Sequence, residues 1–261
     1  MDELKGKVAI IGGGSKGLGK GCALALAQKG VSVVLCARNG EKLEQTAQEI
    51  RQFKVEVLPL AVDMGNAEHN NQIVEKAIKH FGRIDILVNN SGGPMAGNYK
   101  QFGEEDWQQA FQSVLMYVIR MTKLVVPHMQ QQGWGRIINI TSLSVKEPAE
   151  TLVLSNVFRA GVVAFAKSIS KELIKTNITI NNLCPGAFKT DRAVELIKKA
   201  AELTGKTPEQ VETENMSKLP LGRYQSPDEL GAFVSYLCSD IAGGITGTTI
   251  QIDGGISNGL L

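Results

Sequence analysis

Cysteine is scarce, with four residues (Cys22, Cys36, Cys184 and Cys238) in a chain of 261. They are scattered, with no Cys-x-x-Cys pair and no other metal-ligand spacing, which argues against zinc and disulfides and fits buried thiols in a reducing compartment. Neither sign of charge dominates: 28 basic and 26 acidic residues leave a formal net charge of +2, and the two signs are mixed along the chain. Such a balance provides no field to gather nucleic acid or an anionic membrane, so the expected partner is a small molecule. The apolar stretch at residues 8–11 is too short to span a bilayer and lacks a signal-like cleavage region, so a cytoplasmic protein is expected. No low-complexity tract, fixed-period repeat or Pro/Ser-rich linker marks a second domain. With 43% hydrophobic and 21% charged residues, the chain suits one well-buried α/β domain over residues 1–261.

Short β-branched or apolar runs recur at residues 8–11, 31–36, 55–62, 84–88, 136–140, 178–183 and 248–252. Helix-like patterns lie between them, for example at residues 20–28, 43–53, 70–81, 107–131 and 160–176. Strand alternating with helix predicts a parallel sheet covered on both faces, a doubly wound seven-stranded sheet in three α/β/α layers. One long interruption, at residues 188–223, has Val194, Ile197 and Ala201 at helical spacing and charges on its other faces. A long excursion over the carboxyl ends of the strands is the expected place for a substrate lid. Ser226-Pro227-Asp228-Glu229 then reads as a helix start, with Ser226 as cap and acidic residues at the positive end of the dipole.

After the first strand comes Gly12-Gly13-Gly14-Ser15-Lys16-Gly17-Leu18-Gly19, opening a helical run. Residues without Cβ permit the turn, let the backbone approach a pyrophosphate, and aim a helix N-terminus at its charge. The second strand ends in Cys36-Ala37-Arg38-Asn39. An acidic side chain there would accept from a ribose 2′-hydroxyl and repel a 2′-phosphate, whereas Arg38 with Lys16 does the reverse. NADP(H) is the favoured cofactor, with NAD(H) the alternative.

From end to end the chain resembles the short-chain dehydrogenase/reductase family, classical type, within its 3-oxoacyl-(acyl carrier protein) reductase and glucose dehydrogenase-like branch. Gly13, Gly17 and Gly19 match the family's Gly-x-x-x-Gly-x-Gly, Val62-Asp63 its adenine-bordering pair, and Asn89-Asn90-Ser91-Gly92 its Asn-Asn-Ala-Gly. Asn182-Leu183-Cys184-Pro185-Gly186-Ala187-Phe188-Lys189-Thr190 is similar to its nicotinamide-binding Asn-x-x-x-Pro-Gly-x-x-x-Thr. The resemblance implies a Rossmann fold and cofactor contacts from Gly13, Ser15, Lys16, Gly17, Leu18, Gly19, Arg38, Asp63, Asn90, Ser91, Gly92, Arg159, Pro185, Gly186 and Thr190. It implies also a homo-oligomer, tetramer or dimer, with the 247–255 run in the contact.

At the centre the chain departs from the family. Ser142 stands where the family's substrate-orienting Ser does, thirteen residues before the Tyr position, but that position is Ser155, the Lys position is Arg159, and the relay Asn position is Val114. A phenol can act as acid or base near neutrality once a nearby cation depresses its pKa; a serine hydroxyl cannot, and a permanently charged guanidinium does not shuttle protons. Ser142, Ser155 and Arg159 are the catalytic candidates. Lys146, Tyr117 and Tyr99 are alternative proton donors, and Leu196, Leu203 and Met216 candidate walls for an acyl chain. Two readings follow: an NADP(H)-dependent oxidoreductase on a carbonyl/alcohol pair with an atypical proton donor, or a catalytically impaired dinucleotide-binding protein acting as sensor or partner subunit.

Overall fold

Alternation along the first strands decides the layering. In the computed structural model, which describes residues 4–260 apart from the side chains of Lys199 and Leu203, β1 (Val8–Gly12) sends Ala9 and Ile11 into one core and Val8 and Ile10 into the other. β2 (Ser32–Ala37) repeats this with Val33 and Leu35 against Val34 and Cys36. Successive side chains point to opposite faces, so a strand apolar at every position needs cover on both sides. The cover on one face is α1 (Gly17–Gln28), α2 (Gly40–Arg51) and α9 (Pro227–Leu237), through Leu26, Leu43 and Val234. On the other it is α3 (Ala67–Phe81), α5 (Tyr117–Gln132) and α6 (Val153–Leu173), through Ile73, Met121 and Val162.

β3 (Val57–Ala61), β4 (Ile86–Asn89), β5 (Gly135–Ile140), β6 (Ile178–Pro185) and β7 (Thr249–Ile252) complete a seven-stranded sheet of order β3-β2-β1-β4-β5-β6-β7. Every pairing is parallel, giving the expected Rossmann architecture. The chain winds outward from β1 to β3 and returns to place β4 on the other side of β1, which opens a crevice at the carboxyl ends of β1 and β4.

Two helices differ from expectation. The run expected as one helix from residue 107 is α4 (Glu104–Ala110), a π-helical turn (Phe111–Met116) and α5. The long helix expected from residue 160 opens at Val153. Leu154, Phe158 and Val162 recur every fourth residue, so the apolar face runs back past Ala160; Leu154 is buried, and Phe158 packs on Trp107 and Phe111. Between β6 and α9 the excursion forms α7 (Asp191–Thr204) and α8 (Pro208–Ser217). Ile197, Ala201 and Val211 make a small cluster of their own with Ala200 and Tyr224, while Val194, assigned to the same apolar face, is 41% exposed. Ser226 caps α9 as its sequence indicates, exchanging hydrogen bonds with Glu229.

Candidate active site

The glycines after β1 are forced by close approach. A Cβ on Gly19 would lie 2.3 Å from the Gly13 carbonyl oxygen, and one on Gly13 would lie 2.6 Å from Asn90 Nδ2. Gly13 and Gly17 also hold φ of +59° and +54°, which side chains with a Cβ rarely adopt. Gly12 is hemmed in as well: a Cβ there would meet the Asn90 carbonyl and the Tyr117 hydroxyl, both at 2.6 Å. Tyr117 is fully buried beneath the loop, its hydroxyl accepts from the Asn90 amide (3.1 Å), and burial pushes its pKa up. It therefore serves the loop and does not face the cleft as a proton donor. α1 begins without a side-chain cap or an acidic residue in its first turn, so its leading N–H groups remain for an anion.

A cleft of about 970 Å³ runs from these amides in both directions. At one end it is bounded by Arg38, Asn39 and Lys42 after β2 and by Asp63, whose carboxylate accepts from the Gly65 amide (2.9 Å). Lys42 was not legible as a site residue; it sits in the first turn of α2, one turn after Arg38, where the Asn39 side chain caps it (2.9 Å). Lys16 is drawn across the cleft to α7, lying 3.4 Å from Glu195 and 3.9 Å from Asp191. Gly13, Ser15, Lys16, Gly17, Leu18, Arg38, Asp63, Asn90, Ser91, Gly92, Arg159 and Thr190 all border this one cleft. Gly19, Pro185 and Gly186 do not: Gly19 lets α1 close on the loop, and a Cβ on Gly186 would lie 2.7 Å from Asp253 Cα.

At the other end Ser142 follows β5 and caps a 3₁₀ turn (Leu143–Val145), its Oγ accepting from the Ser144 amide (3.1 Å) and keeping its own proton to donate. Ser155 is 6% exposed in the first turn of α6 and shares a 3.3 Å hydrogen bond with Ser144 Oγ. Arg159, 9% exposed, is deeply engaged: Nη1 donates to the carbonyls of Ile140 (2.7 Å) and Thr141 (2.9 Å), and Nη2 to that of Gly92 (2.7 Å). Its Nε has no partner. Burial holds its pKa down to about 10, with a smaller push upward from Cys184 and downward from Arg192. Val114 is buried within the π turn, a distortion that recurs at functional sites. Thr141, Leu154 and Arg159 border the cleft, whereas Ser142 and Ser155 stand just behind that wall. Tyr99 is 67% exposed on a separate short turn and Lys146 is half-buried. Leu196 and Met216 are not on the cleft wall, whose apolar part includes Leu18, Val62, Met64, Met95, Ile140 and Leu154; the side chain of Leu203 lies outside the described residues. Only their apolar character within the excursion pointed to the first two, and Leu196 is 48% exposed.

A second feature was missed. The buried amides of Asn89, Asn139 and Asn182 occupy one register across β4, β5 and β6. Asn89 donates to Asn139 (2.8 Å), Asn139 to Asn182 (2.9 Å), and Asn182 to Thr249 Oγ1 (3.2 Å) on β7.

The chain matches the short chain dehydrogenase family over residues 7–201. It is 32% identical, over 97% of its length and 99% of the relative's, to the 3-oxoacyl-(acyl-carrier-protein) reductase FabG of Thermotoga maritima. In three dimensions it superposes with a TM-score of 0.95 and 32% identity, over all of both chains, on L-sorbose reductase from Gluconobacter frateurii in complex with NADPH and L-sorbose. It superposes with a TM-score of 0.92 and 30% identity, over 97% of this chain and 99% of the other, on YwfH, an NADPH-dependent reductase involved in bacilysin biosynthesis. Sheet order, glycine-loop geometry and these likenesses agree: the chain belongs to the short chain dehydrogenase family.

Proposed function

We propose that this protein is an NADP(H)-dependent reductase of a small carbonyl compound, with a proton source other than a tyrosine. The carrying observation is the one cleft that joins Arg38 and Lys42, the uncapped start of α1, and Arg159 with Thr190. The residues fit the dinucleotide: amides and Lys16 for the pyrophosphate, Arg38 and Lys42 for a 2′-phosphate, Asp63 for the adenine amine, and Thr190 for the carboxamide. When bound, the cofactor supplies the hydride. Ser142, the chain neighbour of the cleft-lining Thr141, turns its hydroxyl past that residue to donate a hydrogen bond to the substrate carbonyl oxygen, and Arg159 contributes a fixed positive charge near the oxygen as its negative charge grows. Neither gives up a proton at neutral pH, so the proton comes from water at the cleft mouth. The excursion at residues 188–223 serves as the lid, and one domain, assembled as a homo-oligomer, carries the whole site.

The second reading, a dinucleotide-binding protein without turnover, draws support from Ser155 and Arg159: the Ser155 hydroxyl is engaged with Ser144, and the two Nη groups of Arg159 with three backbone carbonyls. Titration with NADPH and NADH by tryptophan-to-nicotinamide energy transfer is the first test, with Arg38→Asp alongside. The expected outcome is NADPH binding at least about 10-fold tighter than NADH, with that preference lost in Arg38→Asp. A ketone and aldehyde panel then separates the readings. Turnover abolished by Ser142→Ala supports the reductase, and firm NADPH binding with no turnover supports the sensor.

A further inference from the structure

The catalytic end of the cleft carries two arginines that are not ion-paired among the described residues. Arg159 and Arg192 both border it and grip one strip of backbone, Arg159 donating to the Gly92 carbonyl (2.7 Å) and Arg192 to that of Pro94 (3.2 Å). Gly93, between those two carbonyls, packs against the second guanidinium: a Cβ there would be in ordinary van der Waals contact with Arg192 Nε (3.5 Å) and with its Cζ and Nη2 (3.7 Å). Neither arginine has an ion-pair partner among the described residues, and the acids of the same turn of α7, Asp191 and Glu195, are turned toward Lys16. Arg159, nine-tenths buried, keeps an unpartnered Nε. Two like charges held at one cleft end, with donors to spare, are complementary to an anion. A 2′-phosphate has its own cations, Arg38 and Lys42, at the opposite end, and the pyrophosphate has the α1 amides and Lys16 in between.

We propose that the substrate carries a carboxylate near its carbonyl group, and that Arg192 binds this carboxylate at the cleft mouth in the field of Arg159. Arg192 is then a specificity-determining residue, delivered by the start of the excursion. The proposal rests on the reductase reading and adds the substrate's charge to it.

The test compares kcat/KM for NADPH-dependent reduction of 2-oxobutanoate, acetoacetate and levulinate with their methyl esters, in the native chain and in Arg192→Gln. A charge-assisted hydrogen bond contributes about 1.5–3 kcal/mol, so at least one acid should exceed its ester by about 10-fold or more. In Arg192→Gln that ratio should fall to within about two-fold, with NADPH affinity retained. Esters used as well as acids, or a preference that survives Arg192→Gln, would overturn the proposal. A large loss of NADPH affinity with the acid/ester ratio intact would overturn it too, assigning Arg192 to the cofactor's phosphates. If no compound turns over, the reductase reading fails, and calorimetry of the same acids on NADP⁺-loaded protein decides the anion site separately. Acid binding that Arg192→Gln removes upholds the site, and no acid binding refutes it.

Discussion

At the scale of single residues, Arg159 sets the chemistry apart. A lysine at this position can tune a phenol; the guanidinium instead staples the ends of β4 and β5 together through three carbonyls. Its pKa, pushed by burial to about 10, keeps it charged through the neutral range, and the Ser155 hydroxyl does not ionise there. The rate of carbonyl reduction at saturating NADPH should therefore be flat from about pH 6 to about pH 9. Stopped-flow rates across that range check this, and a limb within it would assign the proton to a titrating group after all. Ser155→Tyr with Arg159→Lys should instead introduce such a limb and raise the rate at neutral pH by about 10²–10⁴-fold. The lysine alone, with a compact ammonium, cannot reproduce the fork that reaches both strand ends.

Among elements, the decisive device is the amide ladder through β4, β5 and β6 to β7. Two of the asparagines lie directly before cleft-lining residues, Asn89 before Asn90 and Asn139 before Ile140. Hydrogen bonding between parallel neighbours fixes these strand ends in one plane, and with them the loops they carry. Asn139→Leu would strip the Asn89 amide of its acceptor and Asn182 of its donor while keeping similar bulk. Two buried polar groups left unsatisfied cost about 2–6 kcal/mol together. Urea denaturation should show a lower midpoint with an unchanged slope, and NADPH affinity should weaken as β4 loses its anchor. A change below about 0.5 kcal/mol would mean that water replaces the ladder.

Over the whole molecule, remote ends of the chain meet at the site. Glu147, just beyond the Ser142 turn, accepts from Ser257 Oγ (2.8 Å) and from the amides of Asn258 (2.6 Å) and Gly259 (2.7 Å). Those donors, Ser257 first, hold its carboxyl below the ordinary value of 4.5. The carboxylate is thus favoured in the folded chain: the latch is intact above about pH 4.5 and is lost as pH falls through the lowered value. Hydrogen exchange at Asn258 and Gly259 should be protected at about pH 6, lose protection relative to intrinsic rates below about pH 4, and be unprotected throughout in Glu147→Ala. Protection unchanged by acid or by the substitution would show that the tail is held by something else. The excursion is tied to the glycine loop by an ion pair, Lys16 to Glu195 (3.4 Å).

Strand positions, sheet class and the glycine loop follow from the sequence alone, because they depend on local quantities: two-residue alternation, apolar length and the φ that only glycine adopts freely. All seven strands lie within two residues of where those quantities put them. The departure at residues 114, 155 and 159 is equally a property of the sequence, since it concerns which side chains exist. Tertiary structure alone decided what those side chains touch. It buried Tyr117 under Gly12, left Leu196 and Met216 off the cleft wall, aligned three asparagines from separate strands, and set Arg159 and Arg192 on one strip of backbone at Gly92 and Pro94. None of these has a local signature, because each depends on strand register or on helix packing between segments tens of residues apart.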